Sequence, residues 1–146
     1  DRNGLRTPMQ WDDSPYGGCA SVRQFAELVP GELGYPRVNV ARQKAERGSL
    51  LQSMQHMIAV RKKNPVLGRG ELRWLETGNP AVAAFLRLDA GDSLLILTNM
   101  SSSPETIRLS AEHDGAYFDV LGQRSLALSE GMSLPPYTSA WLRKNP

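Results

Sequence analysis

The chain has a single cysteine, Cys19. One cysteine excludes an intrachain disulfide and a cysteine-based metal site, and it fits a reducing, cytoplasmic setting. The two histidines, His56 and His113, lie far from Cys19 in sequence, and no local motif of a Cys–His nucleophile surrounds them. No apolar run approaches the roughly 20 residues that would cross a bilayer, so no membrane segment is expected. Lys and Arg number 17 against 15 Asp and Glu, a net charge of +2. These charges are scattered, which excludes the basic stripe that nucleic-acid binding requires. The acidic residues form no loop with calcium-ligand spacing; neither metal nor cofactor is expected. Repeats and low-complexity segments are also missing.

What the chain does have begins at once, in Arg2-Asn3-Gly4-Leu5-Arg6-Thr7-Pro8-Met9-Gln10-Trp11. Two arginines four positions apart can each fork onto a carboxylate or a pair of hydroxyls. Gln10 adds two donors and an acceptor, and Trp11 offers a flat face suited to the C–H side of a sugar ring. Pro8 fixes its own φ and restricts Thr7. The segment is rich in sugar-binding groups and poor in core-building ones. Residues 1 to about 47 hold much Gly, Pro, Asp and Ser with little periodicity, and read as loops and short turns.

Ser49 to Asn64 is the clearest helix. Ser49 and Gln52 have capping-box spacing. Leu50, Leu51, Met54, Met57 and Ile58 make one apolar stripe, while Arg61, Lys62 and Lys63 suit the negative end of the helix dipole. Pro65 ends it. From Gly70 the pattern changes to short strands: Glu71 to Leu75, Ala81 to Leu88, Ser93 to Met100, Glu105 to Leu109, Ala116 to Leu121, Ser125 to Leu128 and Thr138 to Arg143. Asp89-Ala90-Gly91-Asp92 reads as a hairpin turn, and the continuous apolar run of 93–100 as a central strand buried on both faces. This spacing predicts an antiparallel sandwich. Trp74, Tyr117, Phe118, Tyr137 and Trp141 are expected in the core or at a domain interface.

The stretch from Arg2 to Asp12 resembles a loop of the α-amylase superfamily, of the subgroup of oligo-1,6-glucosidases, α-glucosidases, sucrose isomerases and trehalose synthases. Gly34-Tyr35-Pro36-Arg37-Val38-Asn39-Val40, Met57-Ile58-Ala59-Val60-Arg61, Asn64-Pro65-Val66-Leu67-Gly68-Arg69-Gly70, Asn79 to Arg87 and Leu134-Pro135-Pro136-Tyr137 extend the resemblance over almost the whole chain. Together they are most similar to the C-terminal part of the trehalose synthases (maltose α-D-glucosyltransferases). The chain departs from the family at Gly18-Cys19-Ala20-Ser21, where a Gly-Phe-Ser turn is usual.

The resemblance implies an α+β fragment: a substrate loop and the last helix of a (β/α)8 barrel over residues 1–69, then a C-terminal antiparallel β-sandwich over 70–146. It implies a retaining mechanism, which needs two carboxyl groups about 5 Å apart. Those motifs are not found in this chain. Asp12-Asp13 is read as a turn, so no catalytic residue is assigned and the isolated chain is expected to be inactive. Substrate positioning remains. By resemblance Arg2 reaches the glucose of the −1 subsite, Arg6 sits nearby, and Gln10 and Trp11 either line the site or hold the loop in shape. The implied partners are small α-glucosides, maltose and trehalose, and the rest of the barrel, with a homo-oligomer possible. An α-glucosidase or oligo-1,6-glucosidase, and a non-catalytic β-sandwich module, are the alternative readings. The stripe on the helix would face the barrel, so the chain alone is expected to associate through it or to be marginally stable.

Overall fold

The computed structural model describes residues 7–20 and 29–145. The chain divides into two compact units, Asp1–Ile58 and Ala59–Pro146.

In the first unit, a tight turn at Pro15–Gly18, with Tyr16, Gly17 and Gly18 at positive φ, and a 3₁₀ turn at Gly31–Leu33 lead to helix α1, Val40–Ala45. Residues 40–45 were expected to be loop; they form a helix because Asn39 caps it, its Oδ1 accepting from the Arg42 amide at 2.8 Å. Six residues are too few to show periodicity. Helix α2, Leu50–Lys63, matches the expected span within one residue at each end. Its start differs from a full capping box. Ser49 Oγ does accept from the Gln52 amide at 3.3 Å, but the Ser49 amide donates to Glu46 O. With that amide taken, the Gln52 side chain donates to Lys44 O at 2.7 Å instead. Gln43 completes the link between α1 and α2, its Oε1 accepting from the Leu51 amide at 2.9 Å. Along α2, Leu50, Met54 and Ile58 are exposed, at 72%, 48% and 47%.

The second unit begins with the end of α2 and a one-turn helix, α3 (Val66–Arg69). Eight strands follow: β1 (Glu71–Trp74), β2 (Val82–Asp89), β3 (Asp92–Asn99), β4 (Glu105–Thr106), β5 (Gly115–Asp119), β6 (Arg124–Leu128), β7 (Ser133–Leu134) and β8 (Ser139–Lys144). Six form one antiparallel sheet in the order β1-β2-β3-β8-β5-β6, and β4 pairs with β7 in a second, small sheet. The last strand therefore inserts into the centre, between β3 and β5. The β2–β3 hairpin closes at Asp89 and Asp92, with Ala90 and Gly91 both at positive φ, as a two-residue primed turn requires.

The two faces of the large sheet are buried differently. Val82, Ala84, Leu95, Leu97, Ala140 and Leu142 pack with Ile107 and Leu134 from the small sheet's region, which makes the sandwich core. On the opposite face Leu94 and Ile96 pack with Val66 and Leu67 of α3. Strand β3 is thus buried on both sides from Leu94 to Leu97, as its apolar run predicts. Asn99, also buried, ties the two sheets together: its Nδ2 donates to Ser103 O, Leu134 O and Pro135 O. Strand β4 is shorter than the alternation over 105–109 suggests. The Ile107 amide still reaches Met132 O, but Gly131, at φ 80°, turns the partner segment away. Of the five aromatics expected in the core or at a domain interface, Tyr117 is buried and Trp141 half-buried. Trp74, Phe118 and Tyr137 are exposed in this chain; Trp74 lies on the edge strand β1 with Phe85 edge-on beside it, 5.1 Å between centroids.

Gly70 joins α3 to β1 at a place with no room for a side chain. A Cβ there would lie 2.6 Å from Val66 O and 2.8 Å from Leu88 O, both backbone atoms. Gly70→Ala is expected to cost about 1–3 kcal/mol, read as a lowered denaturation midpoint of the chain. An unchanged midpoint would contradict this packing.

Glu105 accepts hydrogen bonds from Asn79 Nδ2 at 2.7 Å and Ser101 Oγ at 2.9 Å, and these hold its carboxyl below the usual carboxylate range. A lowered folded-state pKa adds stability above the unfolded-state value, and that stability is lost as pH falls through the folded one. The Asn79 side-chain amide signals are therefore expected to titrate in acid below the ordinary Glu range. Titration within that range would contradict the hydrogen bonds.

Candidate substrate-loop site

Arg2 and Arg6 lie outside the described residues. Gln10 and Trp11 are described, and the structure gives them different tasks. The Gln10 amide is turned inward, with Nε2 donating to Val38 O at 2.7 Å and Leu33 O at 3.0 Å. Those carbonyls sit at the two ends of a turn closed by Arg37 and Val38 amides donating to Gly34 O. Trp11 is 51% exposed. Its backbone does the holding: the Trp11 amide donates to Gly17 O at 2.8 Å, and Trp11 O accepts from the Ala41 amide at 2.8 Å.

The loop is seated on the start of α1. A helix N-terminus leaves its first amides without intrahelical partners. Here Gln10 O takes the Val40 amide at 2.9 Å, Trp11 O takes that of Ala41, and Asn39 Oδ1 takes that of Arg42. Asn39 is 5% exposed, and its Nδ2 donates to Tyr35 O at 2.8 Å. The sequence reading missed Asn39 as a site residue; the signal available was an Asn directly before a short non-Gly, non-Pro stretch, an N-cap pattern. Beside this crossing lies a cavity of about 270 Å³ lined by residues including Pro8, Met9, Gln10, Val38, Asn39 and Gln43.

Asp12 behaves as a turn residue. It accepts from the hydroxyl and the amide of Ser14, and these bonds lower its pKa. A Cβ on Gly18 would meet its carboxylate oxygens at 2.6 Å. Among the described residues no group of three or more His, Cys, Asp or Glu side chains converges as a metal site would require. No helix among them is long and apolar enough to cross a membrane.

Residues 1–70 match the family described as alpha amylase, catalytic domain, and residues 82–140 match the alpha-amylase SusG C-terminal domain. The chain belongs to the α-amylase superfamily. Among relatives of this superfamily chain, the trehalose synthase/amylase TreS of Mycobacterium tuberculosis is 34% identical over 119 residues, 77% of this chain and 20% of the relative. A probable alpha-glucosidase of Rhizobium meliloti is 34% identical over 108 residues, 74% of this chain and 19% of the relative. The chain thus spans about a fifth of these relatives' length. In structure it is similar to the trehalulose synthase MutB of Pseudomonas mesoacidophila, with a TM-score of 0.82 and 24% identity over 98% of this chain and 26% of that one. That likeness confirms the fold expected from the sequence: a piece of the catalytic domain followed by an antiparallel C-terminal domain.

Proposed function

We propose that this chain serves a retaining glucosyltransferase that converts maltose to trehalose, with residues 1–69 closing and positioning the sugar site and residues 70–146 stabilising the barrel. In this reading Arg2 hydrogen-bonds the glucose in the −1 subsite, Arg6 lines the neighbouring side, and Trp11 lies at the rim. The observation that supports it best is the seating of residues 10–11 on the capped start of α1, which makes the segment after the arginines a fixed platform. The catalytic-domain match ends at residue 70 and the C-terminal-domain match begins at residue 82, which supports a division between the two parts, although the compact units themselves divide between Ile58 and Ala59. The reaction itself belongs to two carboxyl groups outside these residues: one carboxylate attacks C1 of the non-reducing glucose while the other, as an acid, protonates the O4 of the departing glucose, and that second group then takes the proton of the departed glucose's anomeric hydroxyl as its oxygen displaces the first carboxylate. The lone Cys19 fits a cytoplasmic enzyme.

A second reading, hydrolysis of α-glucosides, is favoured by the relative named as a probable alpha-glucosidase. Both are tested by incubating maltose with the 146-residue chain and with a full-length enzyme that contains it. Trehalose from the longer enzyme and nothing from the chain alone supports the proposal. Glucose as the sole product supports the hydrolase. Turnover by the isolated chain would overturn the assignment of the chemistry to other residues.

A further inference from the structure

We infer that Gln10 and Asn39 form a latch that sets the position from which the arginine segment is presented to sugar. Both act as positioning residues; neither is a substrate ligand. The sugar readout below rests on the function proposed above.

The geometry assigns each amide a full task. The Gln10 side chain spans the turn over residues 33–38 by bonding its two end carbonyls, and two acceptors fix which end of the amide is nitrogen. Its Oε1 is left buried and without a donor. A buried orphan acceptor is unfavourable, so the amide stays in place because Nε2 holds both carbonyls. Asn39 closes the same turn through Tyr35 O and caps α1 with its oxygen. The turn and the helix start are thereby fixed together, and the backbone of Gln10 and Trp11 is bonded to that helix start. Gly17 adds a close approach from the other side: a Cβ there would lie 3.2 Å from Tyr35 Cβ. Thr7 and Pro8, which line the adjoining cavity, connect this anchored point to Arg6.

Two isosteric changes separate the latch from the helix cap. Gln10→Glu removes the donation to both carbonyls. Asn39→Asp keeps an equally good cap and removes only the donation to Tyr35 O. In the full-length enzyme, Gln10→Glu is expected to raise KM for maltose about tenfold, as the loss of two neutral hydrogen bonds can do, and to raise the share of glucose over trehalose. Asn39→Asp should act in the same direction by a smaller factor. A merely structural role would lower kcat through loss of active enzyme and leave KM and the product ratio at native values; that result overturns the latch. Hydrogen exchange on the 146-residue chain gives an independent reading. The Val40 and Ala41 amides should exchange faster in Gln10→Glu while those of Met54 to Ile58 in α2 are unchanged. Equal protection at Val40 and Ala41 in variant and native chains overturns the latch. If the native long enzyme leaves maltose untouched, the proposed function falls, and the exchange result still decides the latch.

Discussion

Exchanging Arg2 for alanine in an enzyme that contains this chain is expected to lower kcat/KM for maltose about 10- to 150-fold. The figure follows from one charge-assisted hydrogen bond, about 1.5–3 kcal/mol, with each 1.4 kcal/mol a factor of ten. Arg2→Lys should fall between alanine and native, because an ammonium keeps the charge and loses the planar fork. The thermal midpoint should stay put, since the proposed bond is to sugar. A kcat/KM within twofold of native in the alanine variant would remove Arg2 from the site and leave the sugar-binding reading of the first eleven residues without its main support.

The largest stability effect is expected at Leu142. This residue is fully buried, at 0% exposure, on the strand that enters the sheet last and sits at its centre between Leu95 and Asp119. Leu142→Ala removes core contacts on the sandwich side and leaves a cavity that neighbouring strands cannot close, a loss of about 2–5 kcal/mol. For a unit of this size that corresponds to a fall in melting temperature of roughly 10–30 °C. Leu50→Ala provides the contrast: Leu50 is 72% exposed, and its truncation should change stability by less than about 0.5 kcal/mol. Equal effects at the two positions would mean that Leu142 does not sit where β8 places it.

These two residues also mark what the amino-acid order makes legible. The strands were readable wherever one face of the sheet is buried, because alternation then survives in the sequence: Val82, Ala84 and Leu86 face the core together. The run Leu94 to Leu97 signalled burial on both faces, and α3 supplies the second cover. Helix α2 was readable from its cap, its stripe and Pro65. The two-residue strand β7 was not, since so short a stretch has no period, and its pairing with β4, itself shorter than the 105–109 expected, depends on contacts distant in sequence such as those of Asn99. Trp74, Phe118 and Tyr137 lie outside the core of this chain. Aromatic character suggests burial but does not say on which side of the sheet, or at which edge, a residue falls. In the candidate site, Gln10 was visible as a residue that lines the site or holds the loop in shape, and the partners through which it holds the loop were not. The two carbonyls it holds lie 23 and 28 positions away, and no local pattern announces them. Asn39 was passed over because its role appears only once α1 is recognised as a helix.

One of the two edge strands of the large sheet has a consequence for how an added strand could pair with it. Strand β1 is an edge, four residues long, and all four of its residues are exposed. Glu71 and Arg73 alternate along it and pair at 3.5 Å. A short edge bearing charge is a poor template for strand addition, since an incoming chain gains few backbone hydrogen bonds and must desolvate ions. Leu72 and Trp74 nevertheless leave apolar area in the open there. Extension of the sheet by another strand is thus discouraged at this edge.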